Sequence, residues 1–199
     1  MFGTDDGRRA DDRARISKTR QSKWLTGMAH VRQPAPEQVA PTEMISANEA
    51  TAAELHAVNQ VVSDSTVSWG LPDRVRRLAL PSLSYSETDL QHMTIILLTN
   101  SEQKGIAIAA WEEASRSEIP ENRRGALIHG LYVVPEYQQR GLGTRLVELV
   151  AKRMAGLNND GMAVRAWRDS LAFFRSRGFE PMHSETAPDT FPRRLWRAV

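Results

Sequence analysis

The sequence predicts one mixed α/β domain that follows a polar tail. Runs of β-branched and other apolar residues over 93–99, 105–111 and 126–134 are typical of strands. Apolar residues at helical spacing over 142–154 indicate an amphipathic helix. A strand, a helix and a strand in succession over 126–167 predict a right-handed crossover that joins two parallel strands.

Charge and composition separate a tail from a globular part. The chain has 199 residues, 26 of them basic and 24 acidic, and a formal net charge of +2. Residues 1–40 hold eight basic and five acidic residues, so the part over 41–199 is nearly neutral and nucleic-acid binding is not expected. The Arg, Asp, Gln and Pro content of 1–40 predicts a disordered tail, because such a segment cannot bury enough apolar surface.

Several classes of function are excluded by the residues that the chain lacks. It contains no cysteine, which excludes disulfides, thiolate metal sites and cysteine nucleophiles. Its five His residues have no ligand spacing, so no metal is expected. No apolar run approaches the roughly 20 residues that a membrane helix needs, and 1–12 does not resemble a secretory signal. We therefore expect a cytoplasmic protein with no membrane partner.

The first elements of the globular part are a short strand and two helices. The apolar pair at 44–45 predicts the strand. Asn48 or Thr51 is suited to cap the first helix, whose apolar residues recur at helical spacing. Pro72 suits the first turn of the second helix, and Pro81 is expected to end that helix.

The middle of the chain predicts three strands and a long helix. The strands over 93–99 and 105–111 form a hairpin, and a polar connection follows them. The strand over 126–134 ends at Pro135, which cannot donate to a ladder. The next helix is expected to end at Gly156 in a left-handed conformation.

The last elements complete the sheet. They are a strand over 162–167, a short helix over 169–177, and a final hairpin that pairs 180–183 with 193–199. Gly178 is suited to end the short helix, and Phe179 is then expected to fold back on it.

The segment QQRGLGT at 138–144 is the sharpest local motif, because it joins a strand to an amphipathic helix. A helix N-terminus exposes unpaired N–H groups at the positive end of its dipole, which suits phosphate. Gly141 and Gly143 allow close approach, and Arg140 can add a charge-assisted contact. Tight packing of the turn would also favour these glycines, so the motif alone leaves both interpretations open.

The motif together with its neighbours resembles the GCN5-related N-acetyltransferase (GNAT) family. The resemblance is carried by the strand over 127–134, Pro135-Glu136-Tyr137, the glycine motif, and a helix over 170–179 that ends in Arg-Gly-Phe. It implies a mixed, mostly antiparallel sheet with a splayed pair of parallel strands and helices on both faces. It also implies acyl-CoA, most simply acetyl-CoA, in the gap between those strands.

The resemblance also implies which residues bind the acyl-CoA. Backbone groups of the strand would hold the pantetheine arm and the thioester, and the loop would hold the pyrophosphate. The strand positions are Leu131, Tyr132, Val133 and Val134, and the loop positions are Gln138, Gln139, Arg140, Gly141, Leu142, Gly143 and Thr144. Asp169 lies at a helix start where the family often has an Asn, and a capping role is a sufficient structural reason for it without a contact to pantetheine.

His129 is the candidate general base, because histidine titrates near neutral pH and this one lies two residues before the contact strand. A strand histidine held by a structural partner is the competing interpretation, and Glu113, or Glu112 beside it, is the alternative base. Phe174 lies in the cofactor region where many family members have a Tyr that protonates the departing thiolate. Tyr132 is a candidate to supply that proton instead.

The expected function is an N-acetyltransferase that moves an acyl group from acetyl-CoA to an amine of a small molecule or protein. The amine would attack the thioester directly, without a covalent enzyme intermediate. Because Phe174 lacks the hydroxyl, an acyl-CoA-binding module with little turnover is the alternative. A nucleic-acid role for the basic residues over 8–23 ranks last. A homodimer is compatible with this fold.

Overall fold

A computed structural model describes residues 44–182 and 192–199. The predicted tail over 1–40 lies outside the described residues, and so do His183 and the loop predicted to follow it. The division of the chain at residue 40 stays a prediction.

One seven-stranded sheet forms the centre of the described part, in the order β1-β2-β3-β4-β5-β7-β6. Its strands are β1 Ser46–Glu49, β2 Thr94–Thr99, β3 Gly105–Glu113, β4 Gly125–Val133, β5 Gly161–Ala166, β6 Glu180–Pro181 and β7 Arg193–Ala198. Every neighbouring pair is antiparallel except β4 and β5, which run parallel. This topology confirms the predicted fold class, a mixed and mostly antiparallel sheet with one parallel pair.

Helices cover both faces of this sheet. They are α1 Leu55–Ser65, α2 Asp73–Leu83, α3 Glu87–Leu90, α4 Leu142–Gly156 and α5 Arg168–Ser176. Leu97 lies against Val61 of α1, near the Cα of Gly105. Its neighbour Ile96 lines a groove with Leu149 of α4. Because successive strand residues point to opposite faces, α1 and α4 lie on opposite sides of the sheet.

The first strand lies later than predicted. It spans Ser46–Glu49 and not the apolar pair at 44–45, and all four of its residues are exposed. The strand carries no apolar signal because it forms the edge of the sheet. Thr51 rather than Asn48 is the cap, in a capping box with Glu54 that precedes α1.

The second helix does not end at Pro81. It continues to Leu83, and the N–H of Ser84 donates to the carbonyl of Leu80 at 3.0 Å. A proline in the last turn removes one helical hydrogen bond, which this turn tolerates. The sequence prediction also missed α3, which begins with a capping box of Ser86 and Asp89.

The two ends predicted for later helices have different outcomes. Gly156 is still helical, and the left-handed residue after α4 is Asn158, with φ +54°. Asparagine tolerates this region well, which explains how it replaces glycine there. Gly178 has the predicted left-handed φ of +82°, and the N–H of Phe179 donates back to the carbonyl of Phe174 at 3.2 Å.

Two irregularities of β4 shape the site. Its pairing with β5 runs only from Gly125 opposite Gly161 to Ile128 opposite Val164, so the rest of β4 has no partner on that side. Against β3, Trp111 lies opposite Ile128, whereas the preceding pair joins Ala110 to Gly130. His129 is therefore the extra residue of a β-bulge. The strands part immediately beyond this bulge.

Candidate active site

The gap beside β4 exposes particular backbone groups. In an antiparallel ladder, alternate residues bond to the neighbouring strand and the residues between them point away. The N–H of Val134 donates to the carbonyl of Ile106 at 3.0 Å, and Tyr132 lies two residues before it in the same register. Leu131 and Val133 therefore direct their N–H and C=O groups away from β3, into the gap. Of the four predicted strand positions, these two have backbone groups available to a ligand.

Two residues of the loop after β4 have a left-handed backbone conformation. Gln139 has φ +59° and Gly141 has φ +84°, and left-handed residues in such loops turn successive N–H groups inward. No described side chain caps α4, and its first helical hydrogen bond runs from Arg145 N–H to the Gly141 carbonyl. The N–H groups of the first turn therefore have no side-chain cap, and Gly143 and Thr144 of that turn line a groove beside this loop.

One groove of about 640 Å³ joins the gap to this loop. Most of the predicted cofactor residues line it, namely Leu131, Tyr132, Val133, Gln138, Gln139, Gly141, Gly143, Thr144, Asp169 and Phe174. The other three are engaged elsewhere. Val134 is bonded to the sheet, the side chain of Leu142 is buried in the core, and Arg140 lies over the ring of Tyr137 at 5.1 Å.

Gln138 lines the groove but uses its side chain structurally. Its Nε2 donates to the Val133 carbonyl at 3.0 Å and to Ser68 Oγ at 2.9 Å. The first bond occupies a carbonyl that would otherwise face the gap. The second joins the loop to the 3₁₀ turn Thr66–Trp69 that follows α1. Of the gap-facing groups of Val133, the N–H is therefore the one left for a ligand.

An aromatic wall closes the groove on the α5 side. A Cβ atom on Gly143 would lie 3.2 Å from Cζ of Phe173, so any larger residue would require this ring to shift by a few tenths of an ångström. Phe174 is only 5% exposed, and its ring meets the rings of Phe173 and Phe179 edge to face. Arg177 lies over Phe173 at 5.8 Å, and its buried Nε has no hydrogen-bond partner among the described residues. The sequence prediction missed Arg177, although it directly precedes the Gly-Phe pair.

On the α1 side, the groove meets an aromatic pocket. The ring of Trp69 stacks on that of Tyr132 with centroids 6.3 Å apart. Tyr85 is held by Asn59, whose side chain donates to its carbonyl and accepts from its N–H, both at 2.8 Å. A Cβ on Gly130 would overlap the Tyr85 hydroxyl and lie 2.5 Å from Cε2 of Tyr132, so both tyrosines cover Gly130.

Both tyrosine hydroxyls of this pocket stay protonated at neutral pH. Burial raises the pKa of Tyr132 above its usual range. Burial also raises the pKa of Tyr85, and the nearby Tyr132 and Asp89 add to the effect. Each hydroxyl therefore carries its proton at pH 7 and can donate a hydrogen bond.

His129 lies next to this pocket and is bonded to a carboxylate. Its Nε2 is 2.8 Å from Oε1 of Glu112, and about a third of each side chain is exposed (32% and 34%). Glu113, the alternative base, lies opposite Ala126, whereas Glu112 lies opposite Leu127. Because neighbouring strand residues point to opposite faces, Glu113 is directed away from the side that carries Glu112. His129 does not line the groove, and Gly130 separates it from Leu131.

Comparisons with known proteins now identify the domain. Residues 92–181 match the family model described as an acetyltransferase (GNAT) domain. The chain contains a GNAT domain. The match includes the gap, the loop and the aromatic wall, but not α1 or Trp69. The family match therefore covers the groove apart from Ser65 and Trp69, and it leaves half of the aromatic pocket outside it.

Solved structures show the same fold at low sequence identity. The PaiA N-acetyltransferase of Thermoplasma acidophilum, solved in complex with coenzyme A, has a TM-score of 0.62 and 14% identity over 78% of this chain and 99% of that chain. A GNAT acetyltransferase of Staphylococcus aureus Mu50 has a TM-score of 0.57 and 16% identity over the same shares. Tetrahymena GCN5 has a TM-score of 0.51 and 15% identity over 75% of this chain and 90% of that chain. No curated protein sequence matches the chain significantly.

Two further features of the GNAT domain concern metals and membranes. Among residues 44–182 and 192–199, no group of three or more His, Asp or Glu side chains is placed to hold a metal ion. Within those same ranges, each helix is too short or too polar to span a bilayer.

Proposed function

We propose that this GNAT domain transfers an acyl group, most simply acetyl, from acyl-CoA to an amine. One observation carries the proposal, namely that a single groove joins the gap beside β4 to the uncapped start of α4. A thioester needs donors for its carbonyl and a pyrophosphate needs a cluster of N–H groups, and this groove offers both along one line. Arg177, which lines the same groove and lies over Phe173, would add a charge-assisted contact to a phosphate.

The chemistry is a direct displacement at the thioester carbonyl. The Val133 N–H points into the gap and is suited to stabilise the oxyanion. The amine nitrogen bonds to the carbonyl carbon, the carbon–sulfur bond breaks, and His129 accepts the proton of the amine. Glu113 is the alternative base. The hydroxyl of Tyr132, which lines the groove, would protonate the thiolate.

A second candidate is a module that binds acyl-CoA with little turnover. Phe174 favours it, because a phenyl ring at this wall has no proton to give to a leaving thiolate. The two candidates share the binding site and differ in turnover. They are separated by incubating the protein with acetyl-CoA and a panel of small amines and amine-bearing peptides, while free thiol is measured. Amine-dependent thiol release supports the enzyme, and binding without release supports the module.

The binding site itself is tested by a matched pair of variants at Gly141. Its φ of +84° strains aspartate and asparagine alike, and a Cβ there would meet no atom within 4 Å. Gly141→Asp and Gly141→Asn therefore differ mainly in one negative charge. A ligand that binds only the native state stabilises by about 2.7 kcal/mol at a hundredfold excess over Kd. We expect acetyl-CoA to raise the Tm of the parent and of Gly141→Asn much more than that of Gly141→Asp. Equal shifts in the two variants would contradict a phosphate site at this loop.

A further inference from the structure

We propose that Glu112 is a positioning residue that fixes the tautomer of His129, so that Nδ1 is the atom that accepts the proton of the amine. This inference rests on the proposed function. It starts from the 2.8 Å contact between His129 Nε2 and Glu112 Oε1. Glu112 itself does not line the groove, so its effect on the reaction passes through the histidine.

The contact determines which ring nitrogen is basic. An ionised carboxylate can only accept hydrogen bonds, so Nε2 must carry the hydrogen that Glu112 accepts. In a neutral imidazole the lone pair then lies on Nδ1. Without this partner, His129 would be free to adopt the other tautomer or to rotate out of place.

The β-bulge explains why Glu112 is the partner. Glu112 lies opposite Leu127, and the extra residue of β4 follows Ile128, so His129 reaches back to the carboxylate. Two other carboxylates lie within electrostatic range of His129, and both are engaged. Asp89 accepts from Ser86 at the start of α3, and Glu118 accepts two hydrogen bonds from Arg165, at 3.0 and 2.6 Å.

The position of His129 also defines the route of the proton. His129 adjoins Gly130, and Gly130 is covered by the Tyr85 hydroxyl and the Tyr132 ring. Two residues of strand, about 7 Å, separate His129 from the Leu131 groups that face the gap. The proton of the amine therefore reaches Nδ1 through one water or the Tyr85 hydroxyl, which donates one proton as it accepts another. The neutral amine then forms the nitrogen–carbon bond, the carbon–sulfur bond breaks, and the nitrogen loses its second proton to solvent. The thiolate takes a proton from solvent or from Tyr132, which solvent reprotonates.

Kinetics of three Glu→Gln variants test this role, with the amine that gives the fastest thiol release. We expect Glu112→Gln to lower kcat about ten- to a hundredfold with KM for acetyl-CoA unchanged, because a general base contributes about 10²- to 10⁴-fold. Glu121→Gln makes the same charge change on the exposed connection between β3 and β4, and it should match the parent. A loss in Glu113→Gln with no loss in Glu112→Gln would overturn the proposal and assign the base to Glu113.

Measuring the tautomer of His129 distinguishes a positioning role of Glu112 from a purely structural one, because a structural role alone would leave the tautomer unchanged. Ring-nitrogen NMR of protein labelled with ¹⁵N-histidine reports which nitrogen is protonated, and His129→Gln identifies the signal. We expect the Nε2–H tautomer in the parent and its loss in Glu112→Gln. An Nδ1–H tautomer in the parent would overturn the proposal, and that result needs no Glu112 variant to fold. A parent that transfers no acyl group to any amine refutes the proposed function, whereas an active parent with an equally active Glu112→Gln refutes only this inference.

Discussion

Gly130→Ala should loosen the aromatic pocket while leaving the glycine loop over 138–144 intact. The added methyl group would overlap the Tyr85 hydroxyl and lie 2.5 Å from Cε2 of Tyr132, closer than real Cβ contacts allow. The backbone of Tyr85 is held by Asn59 through both its N–H and its carbonyl, so relief of the overlap requires the partly buried ring to rotate. Overpacking of this kind costs about 1 to 3 kcal/mol, and the lower entropy of unfolded alanine offsets roughly 0.4 to 1 kcal/mol. We expect a net loss of about 1 to 2 kcal/mol in the free energy of unfolding.

Urea denaturation measures that loss, and Gly156→Ala is the matched control. A Cβ on Gly156 meets no atom within 4 Å, so this helical position should gain about 0.5 to 1 kcal/mol. Combining Gly130→Ala with Tyr85→Phe removes the oxygen that is overlapped, and the two changes should couple favourably by at least about 0.5 kcal/mol. The Tm shift caused by acetyl-CoA should persist in Gly130→Ala. A fully stable Gly130→Ala protein, or changes that simply add, would refute the packing described for Tyr85.

Three further predictions concern other parts of the domain. Asn59→Ala should cost about 1 to 3 kcal/mol in urea denaturation by leaving the Tyr85 backbone unpaired, whereas Gln60→Ala, which loses an exposed bond to Asp64, should cost under about 0.5 kcal/mol. The hydrogen bonds from Arg165 lower the pKa of Glu118, so this ion pair stabilises the fold at pH values above the usual pKa of a glutamate, and the stabilisation is lost as the pH falls. The difference in Tm between the parent and Glu118→Gln should therefore narrow in acid, and a constant difference would contradict a stabilising ion pair between Glu118 and Arg165. Phe174→Tyr adds a hydroxyl at the groove wall that can protonate the thiolate, so it should raise kcat by up to about 10²-fold with KM for acetyl-CoA unchanged. An unchanged kcat in a folded variant would show that thiolate protonation does not limit the rate.

The sequence predicts those elements whose signal is local. The strands near 93–99, 105–111 and 126–134 are found because their buried residues form continuous apolar runs. The left-handed conformation of Gly178 was predicted correctly because the residue type at that single position is enough to indicate it. The edge strand β1 was misplaced because its exposed side chains give no such run. Local signals therefore predict the core of the fold better than its edges.

The site depends on relations between strands that no single segment encodes. From the sequence alone, Glu112 and Glu113 are equally good candidates to lie near His129, yet the strand register directs their side chains to opposite faces of the sheet. Gln138 was predicted as a cofactor-binding position, and the structure shows its side chain bonded to Val133 and Ser68. That use was not predictable, because Ser68 lies 70 residues away in the chain. Arg177 gains its place in the groove in the same way, through packing on Phe173.

The bulge at His129 decides which groups of β4 face the gap. Before the bulge, the Gly125 carbonyl accepts from Ala114 N–H at 2.9 Å, so odd-numbered residues bond to β3 and even-numbered ones point toward β5. After it, Val134 bonds to β3 and the pattern is reversed. Without the extra residue, the N–H of Val133 would be hydrogen-bonded to β3, and the side chain of Tyr132 would point away from Tyr85. A single inserted residue thus places the Val133 N–H, the proposed oxyanion donor, in the gap, the tyrosines over Gly130 and the histidine beside Glu112.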